Sequence, residues 1–255
     1  TTYPTVIETK SRATSSAVNS LLADICLWNE EYDECIKYIE EVENTGLYFL
    51  VPGDRWFYNF DPGATLENIF EIYFDKASSQ GNSLYKRTFE DDDFYLSDYA
   101  SEILDEDPVF ANEVIRGPGT YSSRYNRIWK YAGSRSGTVR DNGQNSSANF
   151  IIYRLADLYL MKAEAYSQSA SPNYAKALEY INLVRLRVGQ TELTLPNNAQ
   201  IFEDAILEER AKELAYEGKR WYDLLRMGKR NNYARKDKLI EILVQNVNST
   251  QRLVQ

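Results

Sequence analysis

The sequence predicts an all-α protein of tetratricopeptide-like helical hairpins, interrupted by a long loop-rich insertion with at most short strands. Three observations carry this prediction. Between 206 and 228, apolar or small residues fall at Leu207, Ala211, Leu214, Gly218, Trp221 and Leu225. Their steps alternate between four and three, which is one face of a long helix. A hairpin pattern occurs twice: Ala23, Cys26, Cys35, Ile39 and Val42 correspond to Ala163, Tyr166, Ala177, Ile181 and Val184, with two extra residues in the second turn. Small residues at such positions let paired helices approach closely, as in a tetratricopeptide unit. Between 46 and 150 the helical period is poor, and Pro52-Gly53, Pro62-Gly63 and Gly117-Pro118-Gly119 punctuate the chain. The 255 residues are therefore read as one domain. A first hairpin spans 12–45, an insertion 46–150, and a second hairpin with the long helix 151–228.

Residues 1–11 read as an extended lead-in. A helix is expected over 12–27, with Ala17, Leu21, Ile25 and Trp28 along one face, then a turn at 29–32. The next helix, 33–44, carries Ile36, Ile39 and Val42, with Asp33 as N-cap and Gly46 as its stop. In the insertion, Asn68-Ile69-Phe70-Glu71-Ile72-Tyr73-Phe74 alternates and is rich in β-branched and aromatic residues, so it reads as a short strand. Residues 90–107 hold nine carboxylates and neither Lys nor Arg. Their spacing lacks the glycine of a calcium-binding EF-hand loop, and a solvated acidic face is the simpler account. The Gly- and Ser-rich stretch 133–143 lacks a Gly-Lys-Ser/Thr ending and reads as a mobile loop rather than a phosphate cradle.

From Phe150 the helical pattern returns through Leu155, Leu158, Tyr159, Lys162, Ala163 and Tyr166 into the second hairpin. On the long helix a charged stripe, Arg210, Glu213, Glu217 and Arg220, flanks the apolar seam. Glu208–Lys212 and Lys219–Asp223 are favourable i,i+4 pairs, and Glu213 and Glu217 are expected to pair with Arg210 and Arg220 as solvated ions. Gly218 inside this pattern costs about 1 kcal/mol against Ala, so the helix bends there or packs closely. A basic run follows Gly228, then a short helix over 239–247. Two hairpins are too few for a stable solenoid. Either further repeats lie outside this chain, or the long helix and the middle region complete the core.

Composition narrows the chemistry. There are 38 acidic against 29 basic residues, a net charge of −9, which argues against nucleic acid as a partner. Histidine is absent, excluding Ser-His-Asp and Cys-His catalysis and His-ligated zinc. No cofactor motif is present, so none is expected. No run of 18 apolar residues occurs to span a bilayer. Cys26 and Cys35 both fall on apolar helix faces; they fit two small buried hydrophobes or a bond across the first hairpin.

With 20 Tyr, 10 Phe and 4 Trp, the chain has too much aromatic area to leave in water, so many of these rings belong to the core. Sugar recognition uses aromatic faces for stacking and planar polar groups for hydroxyls. Two clusters have that mix. Asp54-Arg55-Trp56-Phe57-Tyr58-Asn59 follows Pro-Gly in a loop; if extended, Trp56 and Tyr58 share a side. Tyr121, Tyr125 and Trp129 recur every four residues with Arg124, Arg127 and Lys130 between them, fitting a helical core stripe or a ligand platform. The candidate ligand-binding residues are Asp54, Trp56, Tyr58, Tyr121, Arg124 and Trp129. No catalytic or metal residues are assigned.

Three blocks also resemble a known family in their wording. They are the hairpin at 12–45, Tyr153-Arg154-Leu155-Ala156 through Ala163-Glu164-Ala165, and Glu208-Glu209-Arg210 through Glu217-Gly218-Lys219-Arg220-Trp221-Tyr222-Asp223. Together they resemble the C-terminal domain of the SusD/RagB family, with Lys219 where His is usual and Asp157 where Glu is commoner. The resemblance implies an α/α superhelix whose insertion carries sugar contacts. It implies non-catalytic binding of oligosaccharide or another nutrient at the outer membrane of Bacteroidetes. It also implies a SusC-like TonB-dependent transporter as partner, and a fragment whose N-terminal half, with its lipid anchor, lies outside this sequence. The rival reading is a helical-repeat module that contacts the transporter and has no sugar site of its own; a carbohydrate-active enzyme is third.

Overall fold

The computed structural model describes residues 9–90, 97–105, 116–122, 127–140 and 146–245. Helix α1 (Ser15–Trp28) begins where the Thr14 hydroxyl accepts from the Ala17 amide at 3.2 Å. Helix α2 (Tyr32–Glu43) folds back on it and buries Cys35, Ile39 and Val42, spaced four and three apart. The α2 N-cap is Glu31, without a side-chain bond, and Asp33 sits in the first turn instead. Gly46 adopts φ +63° just beyond the helix, a conformation that Cβ-bearing residues disfavour. Both cysteines are free thiols in the core of this hairpin, and burial pushes the Cys35 thiol pKa up.

The insertion is more ordered than its sequence suggests. A 3-10 turn at Gly53–Asn59 leads to strand β1 (Asn68–Ile72), the expected strand. Then come helix α3 (Asp98–Asp105), the single-turn α4 (Arg116–Thr120), β2 (Tyr121–Ser122), β3 (Arg127–Ile128) and β4 (Phe150–Arg154). Two expectations fail here. Tyr121 and Trp129 do not share a helix: β2 and β3 pair antiparallel, Tyr121 against Ile128. Phe150 does not begin a helix either. Phe150-Ile151-Ile152-Tyr153 is aromatic and β-branched, and it pairs with β1 from Ile72↔Phe150 to Asn68↔Arg154 across a bulge. Residues 91–96, 106–107, 123–126 and 141–143, which include five of the nine carboxylates of the acidic run, Arg124 and Tyr125, lie outside the described residues.

Helix α5 (Leu155–Gln168) follows β4 directly and is buried on nearly every side. It packs against α1, α2, α6 (Tyr174–Arg187) and α7 (Ala199–Glu213). Leu158, Met161 and Ala165 join the core of the first hairpin, whereas Ala163 joins Ala177, Ile181 and Phe202 in the second. The duplicated pattern is therefore real in three dimensions: Ala177, Ile181 and Val184 are as fully enclosed as Cys35, Ile39 and Val42. A further core, Trp56, Phe57, Phe60, Trp129, Ile151 and Val188, joins the insertion to the end of α6.

The segment 206–228 is not one helix. Helix α7 ends at Glu213, Tyr216 and Gly218 take φ +63° and +77°, and α8 (Arg220–Tyr233) starts in a new direction. The apolar seam does not survive the corner: Leu207 and Leu214 are buried, but Trp221 is 50% exposed. Helix α8 is itself kinked at Arg230–Asn232, and α9 (Lys236–Gln245) closes the described chain, in place of a helix at 239–247.

Candidate functional site

The charged stripe of the long segment faces inward. Glu213 and Glu217 are 0% and 3% exposed. They pair with neither Arg210 nor Arg220. Arg154, at the end of β4, donates to Glu67 at 2.8 Å, to Glu213 at 2.5 Å and to Glu217 at 2.9 Å. Arg187 spans Glu67 (2.6 Å) and Glu213, and Arg116 spans Glu209 and Glu213 (3.2 Å). Lys130 donates to Glu217 at 2.7 Å, and Trp56 donates its indole N–H to Glu213 at 3.0 Å. Burial opposes ionisation of Glu213, yet Arg187, Arg154 and Arg116 hold its pKa well below the carboxylate range. For Lys130 burial wins: its pKa falls to about 8 despite Glu217. These charges bolt the insertion to the helices and are enclosed by protein.

A second ionic cluster comes to the surface. Arg210 meets Asp157 at 2.8 Å and Asp223 at 2.9 Å, while Lys219 meets Asp157 at 2.9 Å. Arg226 holds Asp223 at 3.0 Å and grips Glu164 with two 2.7 Å bonds. Against the penalty of burial, Lys219 and Arg210 bring the Asp157 pKa down to about 2. Arg210, Lys219, Asp223 and Arg226 form the floor of a cleft of about 410 Å³ at the Gly218 corner. Its walls are Ile25 and Trp28 of α1, Phe150 and Ile152 of β4, and Tyr222 of α8, which is 59% exposed. At Gly218 a Cβ would meet only ordinary contact, Phe150 Cζ at 3.9 Å, and it is the left-handed backbone that calls for glycine. Behind the corner lies a second cleft of about 430 Å³, with Tyr99, Tyr216 and Trp221. Consecutive aromatics, Trp221 and Tyr222, thus serve opposite sides of one turn. Apolar walls of this size around a few polar groups are the usual make-up of a small-ligand site.

The sequence pattern of the SusD family matches residues 27–253. The chain belongs to the SusD family. Among SusD-like relatives, protein P25 of Formosa agariphila is 48% identical over 87 residues, 33% of this chain and 16% of that one. A solved SusD homologue from Bacteroides thetaiotaomicron is 26% identical, with a TM-score of 0.68 over 91% of this chain and 55% of its own. A laminarin-binding SusD-like protein matches 94% of this chain at 22% identity and a TM-score of 0.63, with 58% of its own length covered. The chain thus spans little more than half the length of these solved SusD-like proteins. The resemblance expected from the three sequence blocks holds, as does the mostly helical fold with short strands.

None of the five described sequence-derived site residues, Asp54, Trp56, Tyr58, Tyr121 and Trp129, lines this cleft. Trp56 and Trp129 are 0% and 2% exposed, so neither offers a face to a ligand. The physical reason is the 3-10 turn: it sends Trp56 inward to Glu213 and Tyr58 outward, where an extended loop would align them. Tyr58 is exposed, with the Arg135 guanidinium 5.2 Å over its ring, and Asp54 is exposed nearby in the same turn. Tyr121 is half-buried, and Arg124 lies outside the described residues. The cleft aromatics Trp28, Phe150 and Tyr222 escaped notice because each sits in a pattern that reads as helix or core. The usable signal is the mid-helix Gly218, followed three and four residues on by Trp221 and Tyr222.

Proposed function

We propose that this chain binds a glycan or another polyhydroxylated nutrient at the bacterial cell surface, without hydrolysing it, for delivery to a SusC-like TonB-dependent transporter. The observation that carries this reading is the Gly218 cleft: stacking faces on its walls, planar charged groups on its floor. Membership of the SusD family and the laminarin-binding neighbour support it. A hydrolytic role would need a carboxyl poised as an acid, with a raised pKa. Glu217, which also lines the cleft, is instead kept ionised by Arg154 and Lys130 against its burial. The exposed pair Asp54 and Tyr58 is a secondary contact patch in this scheme.

The test is calorimetric titration of an oligosaccharide panel, with product analysis. Binding without cleavage, lost about tenfold or more in Tyr222→Ala through the missing stacking face, is the expected result. Unchanged affinity in that variant would remove the cleft from the scheme. One observation favours the transporter-binding module as a second reading: Val18, Leu21 and Ile25 form an exposed apolar row on α1, 45%, 48% and 46% accessible. Charging that row by Leu21→Glu should abolish transporter capture while sparing sugar binding if this reading holds.

A further inference from the structure

The second cleft, about 430 Å³ behind the Gly218 corner, carries an unbalanced charge. Lys219 and Arg220 line it and no Asp or Glu does, in a chain whose net charge is −9. Lys219 is engaged, its ammonium 2.9 Å from Asp157. Arg220 is half-buried and meets no carboxylate among the described residues. It donates Nη1 to the Leu207 carbonyl at 2.8 Å and Nη2 to the Tyr99 hydroxyl at 3.5 Å, with its Cζ 5.6 Å over the Tyr99 ring. A guanidinium has more N–H donors than these neutral acceptors use, and neither offsets its charge. Arg154, Arg187, Arg210 and Arg226 each reach a carboxylate instead. A cation held against apolar surface without a counter-ion is costly, and an arriving anion removes that cost. Trp221, 50% exposed, presents its ring on the same wall. Tyr216 lines the cleft at φ +63°, a left-handed conformation that strains a residue with a Cβ and recurs at functional sites.

We infer that this second cleft receives an anionic sugar residue, a uronate or a sulfate ester, whose negative group bonds Arg220 while its ring stacks on Trp221. The inference rests on the glycan-binding reading and narrows it to a substrate class. Carboxylate and sulfate share the chemistry required: charge spread over oxygens that accept the paired N–H groups of a guanidinium. A neutral sugar leaves the cation unmatched. A bare inorganic anion leaves the aromatic wall unused. Asp24, Glu217 and Asp223 line the first cleft and not this one, so the two clefts differ in the charge they attract. The chain as a whole repels polyanions, and local attraction at Arg220 therefore sets both where such a ligand lands and which ligand is chosen. Trp221 supplies the flat face for the ring and an indole N–H beside it.

The experiment uses matched pairs: polygalacturonate against its carboxyl-reduced form, and dextran sulfate against dextran. Each is titrated against the whole chain with calorimetry and Trp fluorescence as readouts. The expected result is an anionic polymer that binds about tenfold or more tighter than its neutral partner. The pair with the larger ratio identifies the anion as carboxylate or sulfate. Arg220→Gln, which removes the charge and keeps an amide to reach the Leu207 carbonyl, should bring that ratio to about one, and Arg220→Lys should retain only part of it. Near-ultraviolet circular dichroism checks the fold of both variants. Trp221→Leu, which breaks no ion pair, should weaken the anionic polymer about tenfold and supplies a check independent of Arg220. Neutral polymers that bind as tightly as both anionic ones, a ratio that survives Arg220→Gln, or an affinity unmoved by Trp221→Leu would overturn the anion assignment and leave glycan binding standing. Failure of every polymer to bind would overturn both.

Discussion

At the scale of single residues, the decisive fact is that Arg154, Glu209, Arg210, Glu213, Glu217 and Asp223 of the later family blocks are internal. Glu213 accepts from Arg116, Arg154, Arg187 and Trp56. Replacing one partner of a buried ion cluster strands the others, at a cost of about 3–5 kcal/mol. Glu213→Ala should therefore lower the stability measured by urea denaturation by about that amount, whereas Glu34→Ala, in an exposed pair with Lys37, should change it by less than about 1 kcal/mol. The same carboxylates set the acid response. Glu213, Glu217, Glu164 and Asp157 all have folded pKa values below their ordinary ones. Their contribution is complete above the unfolded carboxylate pKa, about 4, and is lost as pH falls toward the folded values, about 2 for Asp157. The thermal midpoint should be level from about pH 5 to 7 and fall steeply below about pH 4. A midpoint that rises on acidification would contradict this sign. None of this was legible from single letters, because Arg, Lys and Glu read as surface residues by default and only tertiary pairing buries them.

At the scale of elements, legibility followed the period. The faces Cys35, Ile39, Val42 and Ala177, Ile181, Val184 were readable because each lies within one unbroken helix. The corner at 214–219 was not, because the four-three spacing runs through it: Leu214, Gly218, Trp221 keeps the helical step while the backbone turns away. Phe150 to Tyr153 was ambiguous for another reason, since a short apolar run fits a strand or a buried helix alike. Two glycines distinguish the kinds of constraint. A Cβ at Gly53 would lie 2.0 Å from the Arg187 carbonyl oxygen, a backbone atom that cannot swing aside. At Gly218 space is open and only the left-handed φ resists. Gly218→Ala should cost about 1–2 kcal/mol, and Gly53→Ala more, about 3 kcal/mol. Thermal unfolding of the two variants checks the order; a costlier Gly218→Ala would refute it.

At the scale of the whole molecule, the four tryptophans divide by position. Trp56 and Trp129 are enclosed, Trp221 is 50% exposed, and Trp28 is half-buried on the cleft wall. Acrylamide should quench two classes of emission, with the accessible class removed by Trp28→Phe and Trp221→Phe together. A sequence rich in aromatics suggested ligand faces but could not say which rings the core would claim. It claimed those of the insertion, because Trp56 and Trp129 cap a layer that ends on Val188 of the second hairpin. The binding candidates are left to the helical corner.

The enclosed cluster of Arg154, Glu67, Glu213, Glu217 and Arg187 has a consequence for how such a chain can change over generations. Each member's fitness depends on the identity of several others, so no member drifts alone. A substitution at one site becomes tolerable only alongside a matching change at another, which makes the cluster an epistatic unit inherited as a block. The rims of the clefts carry no such mutual debt: Tyr222, Ile25 and Trp221 can each be exchanged separately. On the proposed glycan-binding reading, single substitutions at the rim are the expected route to a changed ligand preference, and substitutions in the charged interior are not.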